Sequence, residues 1–291
     1  MSDTWIVIPV HNRAAFTRSC LEALAAQSDR DFDVIVVDDG STDETGAVLS
    51  EFDWVTVIKG DGSLWWSGST NLGVRHALSH GARWVITLND DTSPPTDFVH
   101  RLKRHAYMNP RTLIGALELD VESGEVIYCG ERVDWMRARY IAIADDVPLG
   151  QRHGLHEVTH FPGRGLIIPR EVFEVIGMFD ELHFPQAIAD YDFTHRALAA
   201  GFPIYCAWDT TLSMYPAESG GVLLKNNHSL ANYRKHLFSM KGAGNLPRFI
   251  VYAWRNCPRR YFLQFVVLGV LRRAGGYLRD WLISVRTLDR K

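Results

Sequence analysis

The chain has 291 residues, of which 46% are hydrophobic and 22% charged, with a formal net charge of −3; this is ordinary soluble usage and excludes a disordered chain, a collagen-like repeat and a multi-span membrane protein. The charge is unevenly placed: residues 231–291 carry 13 Lys or Arg against 2 Asp, whereas the first 230 carry 18 basic and 32 acidic side chains. An acidic body with a basic tail and no reading motif argues against nucleic acid as the partner.

The first hundred residues alternate strand and helix signals. Trp5–Val10 is an apolar run closed by His11-Asn12, and reads as a buried strand. Ala14–Gln27 follows with Phe16, Cys20, Leu21 and Leu24 at helical spacing. Asp33–Val37 is a second strand, ending at Asp38-Asp39-Gly40, and Ser41-Thr42-Asp43-Glu44 opens a helix over Thr45–Phe52. Val55–Lys59 is a third strand. Trp65-Trp66 reads as loop before a helix over Ser69–His80, and Trp84–Leu88 is a fourth strand ending at Asn89-Asp90-Asp91. The middle holds shorter strands over Leu113–Leu119, Val126–Cys129, Leu166–Ile168 and Ile204–Trp208, with helices over Glu171–Ile176 and Asp190–Ala200. From Leu230 the pattern is helical and basic, punctuated by Pro247 and Pro258 and nearly ended at Gly275-Gly276. Single helices between strands imply an α/β fold with a mostly parallel sheet, in which ligands bind beyond the carboxyl ends of the strands. The polar clusters at 11–13, 38–43 and 89–92 all follow strand ends, so they converge on one edge. Residues 1–228 form the expected main domain and 229–291 a basic helical extension.

The four cysteines (Cys20, Cys129, Cys206, Cys257) are scattered without ligand spacing, so no zinc site is expected and they read as reduced thiols of a cytoplasmic protein. The N-terminus lacks a signal-peptide pattern, and the apolar stretch Tyr261–Leu271 is about half of the roughly 20 residues a spanning helix needs.

Three clusters carry chemistry. Asp38-Asp39 places two repelling carboxylates at a strand end; a turn or helix cap uses one, which leaves the other for a ribose or base N–H. Asn89-Asp90-Asp91 suits a hard divalent cation, Mg²⁺ or Mn²⁺, that bridges phosphates; the plainer reading is a solvated turn before Pro94-Pro95. Asp190 and Asp192 open a helix, where acids favour the dipole. Asp190 also follows Ala187-Ile188-Ala189, and a partly buried carboxylate there can take a proton from a hydroxyl. Trp65-Trp66 reads either as core packing or as a platform for a sugar. No GxGxxG follows a strand, which disfavours a dinucleotide site.

The ordered set Ile8-Pro9-Val10-His11-Asn12-Arg13, Val36-Val37-Asp38-Asp39-Gly40-Ser41-Thr42-Asp43 and Asn89-Asp90-Asp91 resembles family 2 glycosyltransferases of the GT-A fold. Trp65-Trp66-Ser67-Gly68-Ser69-Thr70-Asn71-Leu72-Gly73 looks like the rhamnosyltransferase-like branch of polysaccharide and O-antigen assembly. The resemblance continues through Gly163-Arg164-Gly165, Ile176–Glu181 and Ala189–Ala197, and covers residues 5 to about 215. It implies a GT-A-type, Rossmann-like, mostly parallel sheet with flanking helices. It also implies inverting, metal-dependent transfer of a hexosyl or deoxyhexosyl group from a dTDP- or UDP-linked donor to a saccharide, such as a lipid-linked glycan of bacterial surface polysaccharide. On matching positions, Pro9, His11, Asn12 and Arg13 would surround the base, Asp39 would hold base or ribose, and Asn71 and Asp90 would lie on the donor side. Asp91 would bind the metal, Asp190 would be the catalytic base, and Trp66, Arg164 and Asp192 would face the acceptor or sugar. Two departures stand out: Ala189 occupies a position often Glu, and Leu212–Pro216 lacks a His that some members use for metal. Two alternatives follow, an inactive nucleotide-sugar-binding protein and a nucleotidyltransferase, although His11-Asn12-Arg13 is not the Gly-rich basic loop the second needs. The tail interleaves arginines with Phe, Tyr, Trp and Leu, as an interfacial helix does, which points to peripheral contact with the inner face of the plasma membrane. A helical pair packed on the body, or a homo-oligomer interface, is its other use.

Overall fold

A computed structural model describes residues 2–215, 229–240, 242 and 244–288, with residues 280 and 282–288 described by backbone alone. Pro216, the 228/229 boundary and the side chains of Leu282 and Arg286 lie outside the described residues. The chain divides into two compact units. The first takes the described residues of Met1–Arg132, Ile141–Pro185 and Ala189–Tyr215; the second takes Val133–Tyr140, Gln186–Ile188 and the described residues after 228.

The first unit begins with the expected alternation: β1 (Thr4–Val10), α1 (Ala14–Ala25), β2 (Asp33–Asp38), α2 (Thr45–Leu49), β3 (Val55–Lys59), α3 (Trp65–Ser79) and β4 (Trp84–Thr87). Then come β5 (Thr92–Ser93), α4 (Phe98–Met108), β6 (Leu113–Asp120), β7 (Val126–Tyr128), β8 (Glu131–Asp134) and β9 (Arg139–Ala142), these last two shared in sequence with the second unit, and β10 (Leu155–Glu157), β11 (Leu166–Pro169), α5 (Arg170–Ile176), α6 (Ala189–Ala199) and β12 (Ile204–Met214). The main sheet runs β10-β12-β6-β11-β4-β1-β2-β3, with β5 on β12 and β7 on β6, while β8 and β9 pair separately. Strands β1 to β4, β6 and β12 point one way, and β11 runs against both of its neighbours, β4 and β6. The sheet is therefore mostly parallel but mixed at its centre.

Period-two alternation decides which face each strand buries. Ile6, Ile8, Val34, Val36, Trp84, Ile86 and Ile167 form one core with Cys20, Leu21 and Leu24 of α1. Helix α4 completes it with Phe98, Val99, Leu102 and Ala106, a spacing that marks one helical face. On the other face α3 packs closely on the valines of β1 and β2, because a Cβ at Gly73 would come 2.4 Å from Val7 Cγ1 and 3.2 Å from Val37 Cγ2. Helix α3 begins four residues before the expected Ser69, and so it includes the two tryptophans.

The second unit contains α7 (Leu230–Phe238), α8 (Leu246–Asn256) and α9 (Phe262–Leu288). Ser229 and Asn245 accept the backbone N–H groups of Asn232 and Arg248 as N-caps. Phe249, Tyr252, Phe265 and Tyr277 are buried. Helix α9 runs through Gly275-Gly276 instead of ending there: the buried Phe265 and Tyr277 lie on either side, and their packing outweighs the roughly 1 kcal/mol each glycine costs.

Candidate active site

The strand-end clusters do meet. After β1 the chain turns through Asn12 at φ +54°, a conformation that asparagine tolerates. Asn12 Oδ1 accepts the backbone N–H of Thr42 at 2.7 Å and of Asp43 at 3.2 Å, and Asn12 N donates to Ser41 Oγ. His11 Nδ1 donates to the Asp39 carbonyl at 2.6 Å while its Nε2 accepts from Asn12 Nδ2, a set that one neutral tautomer satisfies. Pro9 is half-buried on β1, opposite Val37. The loops after β1 and β2 thus form one hydrogen-bonded wall.

Each acid of the Asp38-Asp39 pair has a separate task. Burial pushes the Asp38 carboxyl up, but Lys59 Nζ at 2.6 Å and the Ser41 N–H hold it below the usual range. Asp39 accepts two backbone N–H groups, from Gly62 at 2.8 Å and from Trp65 at 3.0 Å, and so fixes the start of α3. Each of its oxygens thus takes one of the two N–H groups, and the side chain is buried.

Arg13 spans to the loop after β4. Its Nε lies 3.2 Å from Asp90 and its terminal nitrogen 3.3 Å from Asp91, while its guanidinium stacks 4.7 Å from the Phe16 ring. Burial pushes the Asp90 carboxyl up to about 7, opposed by Arg13 and helped by the neighbouring Asp91 charge. Asp91 Oδ1 is buried with no hydrogen-bond partner among the described residues. A buried, unpaired carboxylate oxygen is costly, and it fits a Mg²⁺ or Mn²⁺ held by one carboxylate and by substrate oxygens. No group of three His, Cys, Asp or Glu among the described residues makes a ready protein cage, so the donor diphosphate would have to complete the shell. In the stretch without a His, Tyr215 donates its N–H to the Asp91 carbonyl.

Asp190 opens α6 beside a third loop. Its carboxylate accepts the N–H groups of Gly163 at 3.0 Å and Tyr191 at 2.9 Å. Burial pushes its pKa up; those two N–H groups and the Arg164 charge restrain the rise. Two residues earlier Ile188 takes φ +73°, a strained setting for a β-branched residue that costs about 1–3 kcal/mol. Arg164 donates to Glu118 at 2.7 Å, and Glu118 on β6 is fully buried. Both groups feel the charges of Asp91 and Asp190, so the four form one electrostatic cluster. Glu118 is absent from the sequence reading; its signal is an acid in mid-strand between Leu117 and Leu119, and its partner is 46 residues away. Glu118→Gln is expected to cost about 3 kcal/mol by leaving Arg164 without its counter-charge, or roughly 6–12 °C in melting temperature. An unchanged thermal unfolding curve would show that the pair contributes nothing.

Trp66 joins the loop after β4 to the loop before β11. Its indole N–H donates to Asn89 Oδ1 at 2.9 Å, its ring meets Phe179 edge-on, and a Cβ at Gly163 would come 2.4 Å from it. Two expected site residues lie elsewhere. Asn71 is fully buried, with its amide donating to the Phe179 carbonyl and accepting the Phe179 N–H. Asp192 is fully buried and accepts from Arg196 Nε at 2.9 Å, while Arg196 also donates to the Ile176 and Met178 carbonyls. Both secure the turn before Asp180.

The family model described as Glycosyl transferase family 2 matches residues 5–177. An uncharacterized glycosyltransferase of Rickettsia prowazekii is 29% identical over 180 residues, 60% of this chain and 53% of that protein. The glycosyltransferase AglE of Haloferax volcanii is 25% identical over 226 residues, 76% of this chain and 69% of that one. The chain spans about half or less of the length of the first rickettsial relatives. Among solved structures, S. aureus TarS 1-349 superposes with a TM-score of 0.60 at 14% identity, covering 96% of this chain and 92% of that one. That likeness concerns the fold alone. The same TarS segment is also known in complex with UDP.

Proposed function

The chain belongs to glycosyl transferase family 2, and from that premise we propose that it transfers a sugar from a nucleotide diphosphate donor to a saccharide hydroxyl with inversion. The observation that carries the reading is the shared cluster: a buried carboxylate suited to proton abstraction, Asp190, and a pair of carboxylate oxygens without hydrogen-bond partners among the described residues, Asp90 Oδ2 and Asp91 Oδ1, suited to the phosphate side, with Asp91 and Asp190 both within the field of Arg164 and Glu118. Asp190 takes the proton of the acceptor hydroxyl, whose oxygen forms the bond to the anomeric carbon as the bond to the diphosphate breaks. One base is enough, because the phosphate side already supplies a good leaving group. Arg13 and Asp90 flank that side, and Arg164 offers positive charge to the reacting sugar. A divalent cation held by Asp91 would neutralise charge on the leaving diphosphate.

The donor is read as UDP- or dTDP-linked; a UDP-bound structure of a fold neighbour is in keeping with a nucleotide-sugar donor. The sugar is read as a hexose or deoxyhexose of the rhamnosyl kind, and the acceptor as a lipid-linked glycan. Ala189, standing where the family often has Glu, favours one other reading, an inactive nucleotide-sugar binder. A thermal-shift screen of UDP- and dTDP-sugars with Mn²⁺, followed by donor turnover, tests both. A donor at about 100 times its dissociation constant stabilises by about 2.7 kcal/mol, or roughly 5–10 °C. No shift with any donor would overturn the transferase reading; a shift without turnover would select the binder.

A further inference from the structure

The second unit has a surface that the transfer reaction leaves unused. Between residues 229 and 279 there are ten Lys or Arg and no Asp or Glu, and Asp280 is the first acid to follow. The same stretch is unusually apolar outside. On α9, Leu263 is 74% exposed, Leu271 63%, and Val267 and Leu278 are also exposed. Spacings of four, four and seven residues put all four on one side of the helix. The buried line of α9 is a different one, through Phe265, Gly269 and Tyr277. Exposed Ile250 and Trp254, four apart on α8, add a second apolar row. Arg259 and Arg260 occupy the turn between α8 and α9, with Arg259 stacked 4.2 Å from the Trp254 ring, and Arg272 and Arg279 sit seven apart on α9. No helix among the described residues is long and apolar enough to cross a bilayer.

We propose that the exposed apolar row of α9, with Ile250 and Trp254 of α8 and the arginines around them, docks the chain on an anionic lipid surface. The charge selects the occupant. A second copy would bring ten cations against ten, which repels. A nucleic acid would use the arginines but would leave the leucine row in water. An anionic bilayer interface satisfies both, taking aliphatic side chains into the acyl boundary while arginines meet the headgroups. The inference extends the reading of a lipid-linked acceptor. Its test reads vesicle binding alone, so failure of docking and failure of transfer are separate results.

The test is sedimentation of the full chain with vesicles of mixed phosphatidylglycerol and phosphatidylcholine, or of phosphatidylcholine alone, at low and high salt. The expected result is binding to the anionic vesicles that weakens with salt. Arg259→Glu with Arg260→Glu, and separately Leu263→Ser with Val267→Ser, should each weaken it about tenfold or more. All four side chains are outside the core, and unchanged circular dichroism and melting temperature would confirm folding; Leu271→Ser is the substitute should the Leu263/Val267 pair fail that check. The proposal is overturned by negligible binding, by equal binding to neutral vesicles, or by variants that bind as the parent does. It is equally overturned by a dimer that the Leu263/Val267 variant abolishes, or by capture of duplex RNA that this variant retains while vesicle binding is absent.

Discussion

Asp190→Asn is expected to lower transfer by about 10² to 10⁴ while donor affinity stays within a few-fold of the parent, because the amide keeps the shape but cannot take a proton. Its two backbone donors use different oxygens, Gly163 N–H on Oδ2 and Tyr191 N–H on Oδ1, so the amide oxygen keeps one of them, and an unchanged melting curve checks that the loop before β11 holds. A pH profile sharpens the test. The base works only when ionised, and burial raises its pKa above the ordinary aspartate value of about 3.9. The rate should therefore fall as pH drops through that raised value, with the acid limb displaced upward from an exposed aspartate. On the stability side the sign is opposite. A raised carboxyl pKa means the folded state binds its proton more tightly, so this group stabilises below the ordinary value and loses that contribution as pH rises through the raised one. Transfer by the Asn variant near the parental rate would remove Asp190 from the chemistry.

Asp91→Ala is expected to weaken donor binding in the presence of Mn²⁺ by at least tenfold and to lower kcat/KM by about 10² to 10³, since the diphosphate loses the carboxylate that positions its cation. Fold stability should change in the other direction or barely at all. Asp90 and Asp91 are adjacent buried acids that share one guanidinium, and removing one lets Arg13 pair fully with the other. A loss of function without a loss of stability is the signature of a group kept for its ligand. Titration of Mn²⁺ with nucleoside diphosphate reads it directly: parental metal dependence in the variant would mean that the cation is held elsewhere or is not used.

The sequence made the strand-end wall legible because each part is local. An apolar run, a polar cluster and a helical period together place His11, Asp39 and Asp91 on one edge; the bonds between Asn12 and Ser41, Thr42 and Asp43 join the first two loops there, and Arg13 reaches Asp91. What escaped local reading depends on distant partners. The start of α3 is set by the Asp39 carboxylate 26 residues before Trp65, so a local period could not find it. Glu118 looks like a solvated strand residue until Arg164 covers it. Asn71 and Asp192 show the converse: their motifs identify them, but both are buried, Asn71 bonded to the Phe179 backbone and Asp192 to Arg196, whose guanidinium holds the Ile176 and Met178 carbonyls. Helix α4 is a plainer omission: no helix is expected over Phe98–Met108 above, although Phe98, Leu102 and Ala106 stand at helical spacing.

The reversed strand β11 sets a timetable for synthesis. It fills the gap between β4 and β6, and its partner Thr87 precedes Leu166 by 79 residues. A ribosome that has released only β1 to β4 has therefore made four parallel strands with an open edge at β4, whose buried Trp-Val-Ile-Thr sequence is a ready template for pairing between chains. That edge closes only when β11 emerges, and closing so long a loop is slow. Until then the nascent chain is at its most vulnerable to aggregation, and a product cut short before the Gly163-Arg164-Gly165 turn would carry the open edge permanently.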